Sequence, residues 1–315
     1  MEAPSATFPG RLPRGARDGT PDVKAPRVLH GARMKVVIPA AGLGRRFLPA
    51  TKSMPKEMLP VVDRPVIHYV VQEAVDAGAS DIVIITGRGK RAVEDYFDHN
   101  PDLGPIGEAP ELEELERLTD RVSIFFVRQR QPRGLADAVY CARHHVGAEP
   151  FGVLLGDTIN VCDPPLLRQL HQRFVELGGA SSVIAVETVP TEKVADYGIV
   201  AGPEVAPGVF QVEQMVEKPR PEEAPSRLGI TGAYFLTPTI FDAIAKTAPD
   251  RRGEVQLTSA LDHLRQKEKL YAVTFSGKRY DIGDRKIWLR TNLEFALRDP
   301  QLRPAVLDLL KGVGH

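Results

Sequence analysis

From Met34 onward, short and almost continuously apolar runs alternate with stretches of helical periodicity, and this alternation restricts the fold more than any other feature. Residues 35–40, 81–86 (DIVIIT), 122–127 and 151–155 read as strands buried on both faces. Between the first two, residues 65–77 carry Val66, Ile67, Val70, Val71, Ala74 and Val75 at helical spacing, with Pro65 suited to a first turn and Gly78 to a C-cap. Residues 90–98, 135–144 and 165–177 are further predicted helices. Apolar strands separated by helices predict an α/β fold, a largely parallel sheet covered on both faces. Beyond Ser181 the strands crowd together (181–187, 197–201, 209–217, 231–236), as in an added mixed or antiparallel region. Helices are expected to return at 238–246, 255–266 and 284–298.

Residues 1–33 break this pattern. Five prolines, four glycines and no apolar periodicity leave too little surface to bury against the entropy of ordering, so the segment reads as a disordered leader or a start-site artefact, with Met34 as the working start. The folded domain is expected over 34–298, and 299–315 as a C-terminal helical tail. That tail carries Leu302, Val306, Leu307, Leu309 and Leu310, apolar enough to pack on the core or on a second copy in a homo-oligomer. No apolar run approaches the length of a membrane span and no secretory pattern opens the chain. Cys141 and Cys162 make neither a disulfide framework nor a zinc site, which fits reduced thiols in the cytoplasm.

The net charge is zero, from 41 basic and 41 acidic residues. A balance of zero argues against a chain basic throughout that coats nucleic acid. It is nevertheless a cancellation: residues 42–56 carry +4 and 128–133 carry +3, against −6 over 102–120. The acidic stretch from Glu108 to Asp120 is most simply a solvated helix face. The basic segments suit a concentrated pocket for small polyanions.

The first of them follows the first strand, where open α/β sheets place ligands. In Ala40-Ala-Gly-Leu-Gly-Arg-Arg-Phe-Leu-Pro-Ala-Thr-Lys-Ser-Met-Pro-Lys-Glu-Met-Leu-Pro60, Gly42 and Gly44 let backbone N–H groups approach an anion. On those residues alone a tight turn is as good a reading. A dinucleotide fingerprint is excluded because Phe47 stands where a third glycine is needed, which also demotes a nicotinamide dehydrogenase. Gly87-Arg-Gly-Lys90 lacks the spacing of a Walker A loop and reads as a strand-end turn.

The run resembles the G-x-G-T-R-x-x-P-x-T-K-x-x-P-K-E-M-L-P signature of the sugar-1-phosphate nucleotidylyltransferases, most closely the bacterial UTP–glucose-1-phosphate uridylyltransferases. The likeness continues through Arg128-Gln129, Gly134-Leu-Ala136, Gly156-Asp157, Tyr197-Gly198, Glu217-Lys-Pro219, Thr231-Gly-Ala-Tyr234, Gly253-Glu-Val-Gln-Leu-Thr258 and Tyr280-Asp-Ile-Gly283, and so spans about residues 34–298. It implies a Rossmann-like, three-layer, glycosyltransferase-A-like nucleotidyltransferase fold with a mixed, mostly parallel central sheet. It also implies Mg2+-dependent transfer of UMP from UTP to glucose 1-phosphate, with no nucleic-acid or membrane partner. By the same resemblance Ala41, Gly42 and Gly44 wrap the triphosphate, Arg46 and Lys56 support its charge, and Gln129 and Gly134 meet the base. Gly198 and Glu217 would take the hexose, Lys218 and Arg252 the sugar phosphate, and Asp157 and Asp281 the metal. Read without the family, Asp157 could cap a helix, Asp281 a turn, and Gln129 or Arg252 could be ordinary surface residues.

Both substrates are polyanions, so the chemistry asks for charge neutralisation and in-line positioning rather than a covalent nucleophile. Lys218, next to Glu217, would point to the opposite side of a regular strand, so its implied role requires an irregular backbone beside Pro219. The sequence departs from the family pattern at Arg45, Ala136-Asp137, Ala233 and Ser259. The Gly-Leu-Ala form is shared with thymidylyltransferases, so dTTP, another hexose 1-phosphate, or a non-catalytic nucleotide-sugar-binding regulator are the competing readings.

Overall fold

The computed structural model describes residues 34–100 and 110–313. The leader expected over 1–33 lies outside the described residues, as do 314 and 315. The chain opens with β1 (Met34–Pro39) and, after the glycine-rich loop, a small ladder of β2 (Pro60–Val61) and β3 (Arg64–Pro65). It continues as α1 (Val66–Ala77), β4 (Ala79–Thr86), α2 (Arg91–Phe97), α3 (Pro110–Thr119) and β5 (Ser123–Arg128). Next come α4 (Leu135–Cys141), α5 (Arg143–Val146), β6 (Phe151–Leu154), β7 (Thr158–Val161) and α6 (Leu166–Glu176). The second half begins with β8 (Ser182–Thr188), β9 (Gly198–Ala201), β10 (Glu204–Ala206), β11 (Val209–Gln211), β12 (Gln214–Glu217) and β13 (Leu228–Leu236). It closes with α7 (Ile240–Lys246), α8 (Leu257–Arg265), β14 (Leu270–Thr274), β15 (Lys278–Asp281), α9 (Arg285–Arg298) and α10 (Arg303–Val313).

The central sheet runs β10-β11-β14-β8-β13-β6-β1-β4-β5, with β9 added beside β13 and β12 beside β9. Strands β6, β1, β4 and β5 are mutually parallel, and β14 is parallel to β8. Between these two groups lies β13, antiparallel to both β6 and β8, and β11 and β12 also run against their neighbours β14 and β9. The sheet is therefore mixed and mostly parallel, as expected. Side chains alternate across it with the two-residue period of a strand. Val36, Ile38, Ile82 and Ile84 pack under α1 and α6, whereas Val37, Val83 and Ile85 pack under α4, α7 and α8. Three layers follow directly from that alternation. Helix α1 ends as predicted, with Gly78 at φ 102° and its N–H on the carbonyls of Ala74 and Val75. Pro65 precedes the helix in extended conformation instead of entering its first turn.

Some expectations shift. The single helix expected over 135–144 is divided at Ala142, whose N–H closes a tighter turn on Val139 O at 3.0 Å. The strand expected over 209–217 becomes two because the chain changes partners: Val212 N donates to Leu270 O, and Glu213 N, one residue on, to Ala201 O (both 2.8 Å). Strands β2, β3, β7, β10, β14 and β15 were not anticipated; β7 and β15 are four residues each and, among the described residues, pair only with each other. The tail forms α10 against α9 and leaves Leu307, Leu309 and Leu310 exposed. Among the described residues no helix is long and apolar enough to cross a membrane.

Candidate active site

The glycine-rich loop leaves the carboxyl end of β1, and Ala40 N still bonds to Ile85 O of β4 at 2.9 Å. Gly44 then adopts the left-handed conformation (φ 64°, ψ 30°), which a side chain would strain, and its carbonyl accepts from Thr51 Oγ1 at 2.7 Å. The loop folds back over Lys56. A Cβ at Gly42 would sit 3.3 Å from Lys56 Cε, and one at Gly44 would sit 3.1 Å from Lys56 Cβ. Ala41 is half-buried at the start of this bend, with its carbonyl against Gly87.

A small apolar cluster beneath the loop fixes the polar groups above it. Phe47, Leu59, Val61, Ile159, Tyr280 and Ile282 are buried together. Phe47 follows Arg46, and Tyr280 and Ile282 flank Asp281, so burying the apolar neighbours turns the charged ones outward. The β7–β15 ladder pairs Asp281 with Thr158, and Ile282 N donates to Asp157 O at 2.9 Å. That ladder, formed by two strands the sequence did not reveal, brings Asp157 and Asp281 together across more than a hundred residues.

Lys56 Nζ donates to Asp157 Oδ2. Burial pulls the Lys56 pKa down, but Asp157, Glu57 and Asp281 outweigh it and hold the ammonium above the usual lysine range. Burial, and then Asp157 beside it, push the Asp281 carboxyl up against the opposing pull of Arg279 and Lys56. Arg46 Nη1 approaches the same corner, 3.5 Å from where a Gly283 Cβ would stand and where Asp281 Oδ1 lies at 2.9 Å. Sequence reasoning thus names four residues, Arg46, Lys56, Asp157 and Asp281, that the fold gathers at one place.

Three residues that support this centre were missed. Glu57 is buried, and Lys90 Nζ donates to its Oε2 at 2.5 Å. The pair pins the loop to the start of α2 next to Lys56, which gives Gly87-Arg-Gly-Lys90 a role beyond a turn. Arg279, buried in β15, donates to Asp281 Oδ2 at 3.4 Å, to Tyr197 OH at 3.1 Å and to Glu187. Residues two apart on a strand share a face; that parity was the available signal for Arg279 once Asp281 was suspected.

Tyr197 leads to the hexose candidates. Its carbonyl accepts from Lys218 N at 3.0 Å, and β12 ends with Glu217 opposite Gly198. Lys218 has φ 48°, in the left-handed region that non-glycine residues seldom occupy, so the irregularity required beside Pro219 is present. Its Nζ lies 3.5 Å from Glu217 Oε1. Gly198 is buried, and a Cβ there would meet Thr258 Oγ1 at 2.5 Å; the close approach it permits in the fold is to α8. Arg252 lies in an exposed turn held by Asp250, whose Oδ1 accepts from Arg252 N at 2.8 Å, and no contact joins it to Asp157 or Asp281.

At the end of β5, Gln129 is buried, and its Nε2 donates to Gly134 O at 3.2 Å and to Asp137 Oδ2 at 2.8 Å. Gly134 has φ 99°, and a Cβ there would fall 2.6 Å from Val255 O, so no other residue fits. Arg128, Arg130 and Arg133 line a separate cavity with Tyr140 and Arg143 that includes no residue of the glycine-rich loop.

Among the described residues no three histidine, cysteine, aspartate or glutamate side chains form a metal-binding group. Magnesium needs fewer: one or two carboxylates suffice when substrate phosphates and water complete its octahedron. Asp157 and Asp281 meet that requirement, and the unfavourable approach of the two carboxylates is what a divalent cation relieves.

The family model described as "Nucleotidyl transferase" matches residues 35–296. A UTP--glucose-1-phosphate uridylyltransferase of Bacillus subtilis (strain 168) is 45% identical over 284 residues, 89% of this chain and 96% of the relative. Among solved structures, UDP-glucose pyrophosphorylase complexed with UDP-glucose superposes with a TM-score of 0.80 at 37% identity, covering 85% of this chain and all of that one. The UTP-bound enzyme of Acinetobacter baumannii gives a TM-score of 0.78 at 36% identity, covering 89% and 99%. With the match running from β1 into α9 and the glycine-rich loop, Asp157 and Asp281 converging at one end of the sheet, this chain belongs to the nucleotidyl transferase family.

Proposed function

We propose that this protein transfers UMP from UTP to glucose 1-phosphate, forming UDP-glucose and pyrophosphate. The observation that carries the reading is the convergence of Lys56 and Arg46 on Asp157 and Asp281 at the mouth of a loop with the uridylyltransferase signature. A phosphate oxygen of glucose 1-phosphate attacks the α-phosphorus of UTP, the bond to the bridging α–β oxygen breaks, and pyrophosphate leaves with that electron pair. Glucose 1-phosphate is already ionised at neutral pH, so no base has to be supplied.

Lys56 and Arg46 neutralise the phosphates, and the backbone from Ala41 through Gly44 wraps the triphosphate. Gln129 and Gly134 receive the base. Glu217, beside Gly198, accepts from hexose hydroxyls, and Lys218 and Arg252 hold the sugar phosphate. Asp157 and Asp281 would hold Mg2+, which supplies charge neutralisation on the phosphoryl oxygens. Arg279 fixes the Asp281 carboxylate against Glu187 and Tyr197. The partners this reading calls for are the two small polyanions, UTP and glucose 1-phosphate, in a cytoplasmic reaction. The exposed Leu289, Leu293, Leu307, Leu309 and Leu310 of α9 and α10 suit a second copy of this chain; sedimentation as a monomer at micromolar concentration would dismiss that pairing.

Initial rates of pyrophosphate release separate this reading from its rivals. UTP with glucose 1-phosphate should give the highest kcat/KM among nucleoside triphosphates crossed with hexose 1-phosphates in Mg2+. Preference for dTTP would move the protein to thymidylyl transfer, and no turnover with any pair would leave only a binding protein.

A further inference from the structure

Asp137 is one of the positions at which the sequence departs from the family pattern, and its surroundings give it a task of its own. It is buried on the first turn of α4, with one carboxylate oxygen on each of two donors. Oδ1 accepts from Arg133 Nη2 at 2.7 Å, and Oδ2 accepts from Gln129 Nε2 at 2.8 Å. A carboxylate only accepts, and so does the Gly134 carbonyl that shares the same Gln129 nitrogen at 3.2 Å. Both amide N–H groups of Gln129 are thereby drawn into the protein, and the oxygen is the part of the amide it can offer to a ligand.

That matters for bases that differ along the N3–C4 edge. Uracil carries an N–H at N3; cytosine carries a lone pair there and an amino group at C4. An amide oxygen attracts the first and repels the second, whereas a reversed amide would do the opposite. We propose that Asp137, held by Arg133, is a specificity-determining positioning residue: it locks the Gln129 amide so that its oxygen selects pyrimidines with an N3–H and rejects cytosine. The lock does not read the methyl group of thymine. It rests on the proposed function only in that Gln129 meets the base.

The test is calorimetric affinity for UTP and for CTP, each with Mg2+ and without sugar phosphate, in the wild type, Asp137→Asn and Asp137→Ala. The asparagine is isosteric; Arg133 keeps its oxygen, so its nitrogen turns to Gln129 and favours the reversed amide. UTP binding should weaken about tenfold, the scale of one lost hydrogen bond, and the UTP:CTP affinity ratio should fall at least as far. Asp137→Ala, which removes the lock without reversing it, should fall between wild type and Asp137→Asn, and serves as the second variant should one not fold. Ratios unchanged in a variant that melts like the wild type would overturn the proposal, as would a wild type that binds CTP as tightly as UTP. Turnover of UTP with glucose 1-phosphate, run alongside, reports separately on the proposed function: an inactive wild type whose base preference still depends on Asp137 would refute the enzyme and leave the lock standing.

Discussion

Replacing Glu73 by glutamine should make this protein more stable at neutral pH and leave it unchanged in acid. Glu73 lies inside α1, buried against α6 and β7. Its Oε2 accepts from Asn160 Nδ2 at 2.8 Å and its Oε1 from Leu167 N at 3.3 Å. The second contact caps α6, because Pro165 at the entry to that helix has no side chain able to do so. Burial nevertheless dominates these bonds and pushes the Glu73 pKa up to about 7 from an ordinary 4.5. The folded state therefore keeps a proton that the unfolded chain has released over that interval. At about 1.4 kcal/mol per pH unit the interval amounts to roughly 3 kcal/mol. The sign follows from the direction of the shift: the contribution is fully present below about pH 4.5 and is lost as pH rises through 7. Protonation also gives the site a donor for Asn160 Oδ1, a buried acceptor without a partner. Urea unfolding of wild type and Glu73→Gln between pH 4.5 and 8 measures the effect. The variant should match wild type near pH 4.5 and exceed it by about 3 kcal/mol at pH 8, on the same scale. Parallel stability curves across that range would refute the burial argument.

Two further substitutions probe the frame around the site. Lys90→Met strands the Glu57 carboxylate in the interior and should cost about 3–5 kcal/mol in chemical denaturation; the double variant Glu57→Gln/Lys90→Met should lose far less than the two single losses added, and additivity would contradict the pairing. Lys218→Gly relieves a left-handed backbone of about 1 kcal/mol strain, so the melting temperature should rise slightly while the KM for glucose 1-phosphate increases; an unchanged KM would remove Lys218 from the sugar phosphate.

The parts of this fold legible in sequence are those whose residues have one dominant interest. β1, β4 and β6 are apolar almost throughout, and a run of that kind can only be central. The glycine-rich loop was legible because its signature combines several fixed spacings, and the bend at Lys218 because the role the resemblance implied for that residue, set against strand parity, demanded an irregular backbone beside Pro219. Strands β7 and β15 escaped because Thr158-Ile-Asn-Val161 and Lys278-Arg-Tyr-Asp281 pair with each other across more than a hundred residues of chain, a pairing that local periodicity does not encode. The same holds for Glu57 with Lys90 and for Glu73 with Asn160: each reads as an exposed charge until the fold supplies its neighbour. Asp137 was visible as a departure, but only the three-dimensional contact with Gln129 says what the departure does.

Asp157 and Asp281 acting with Lys56 form the reaction centre on which the proposed transfer rests. Turnover of Asp157→Asn, measured as UDP-glucose formed across a titration of Mg2+, addresses that claim directly. The expected result is a folded protein whose kcat falls about 100- to 1000-fold, the scale of losing one preorganised charge group, with no recovery at high Mg2+. A variant that keeps wild-type turnover and wild-type dependence on Mg2+ would contradict it.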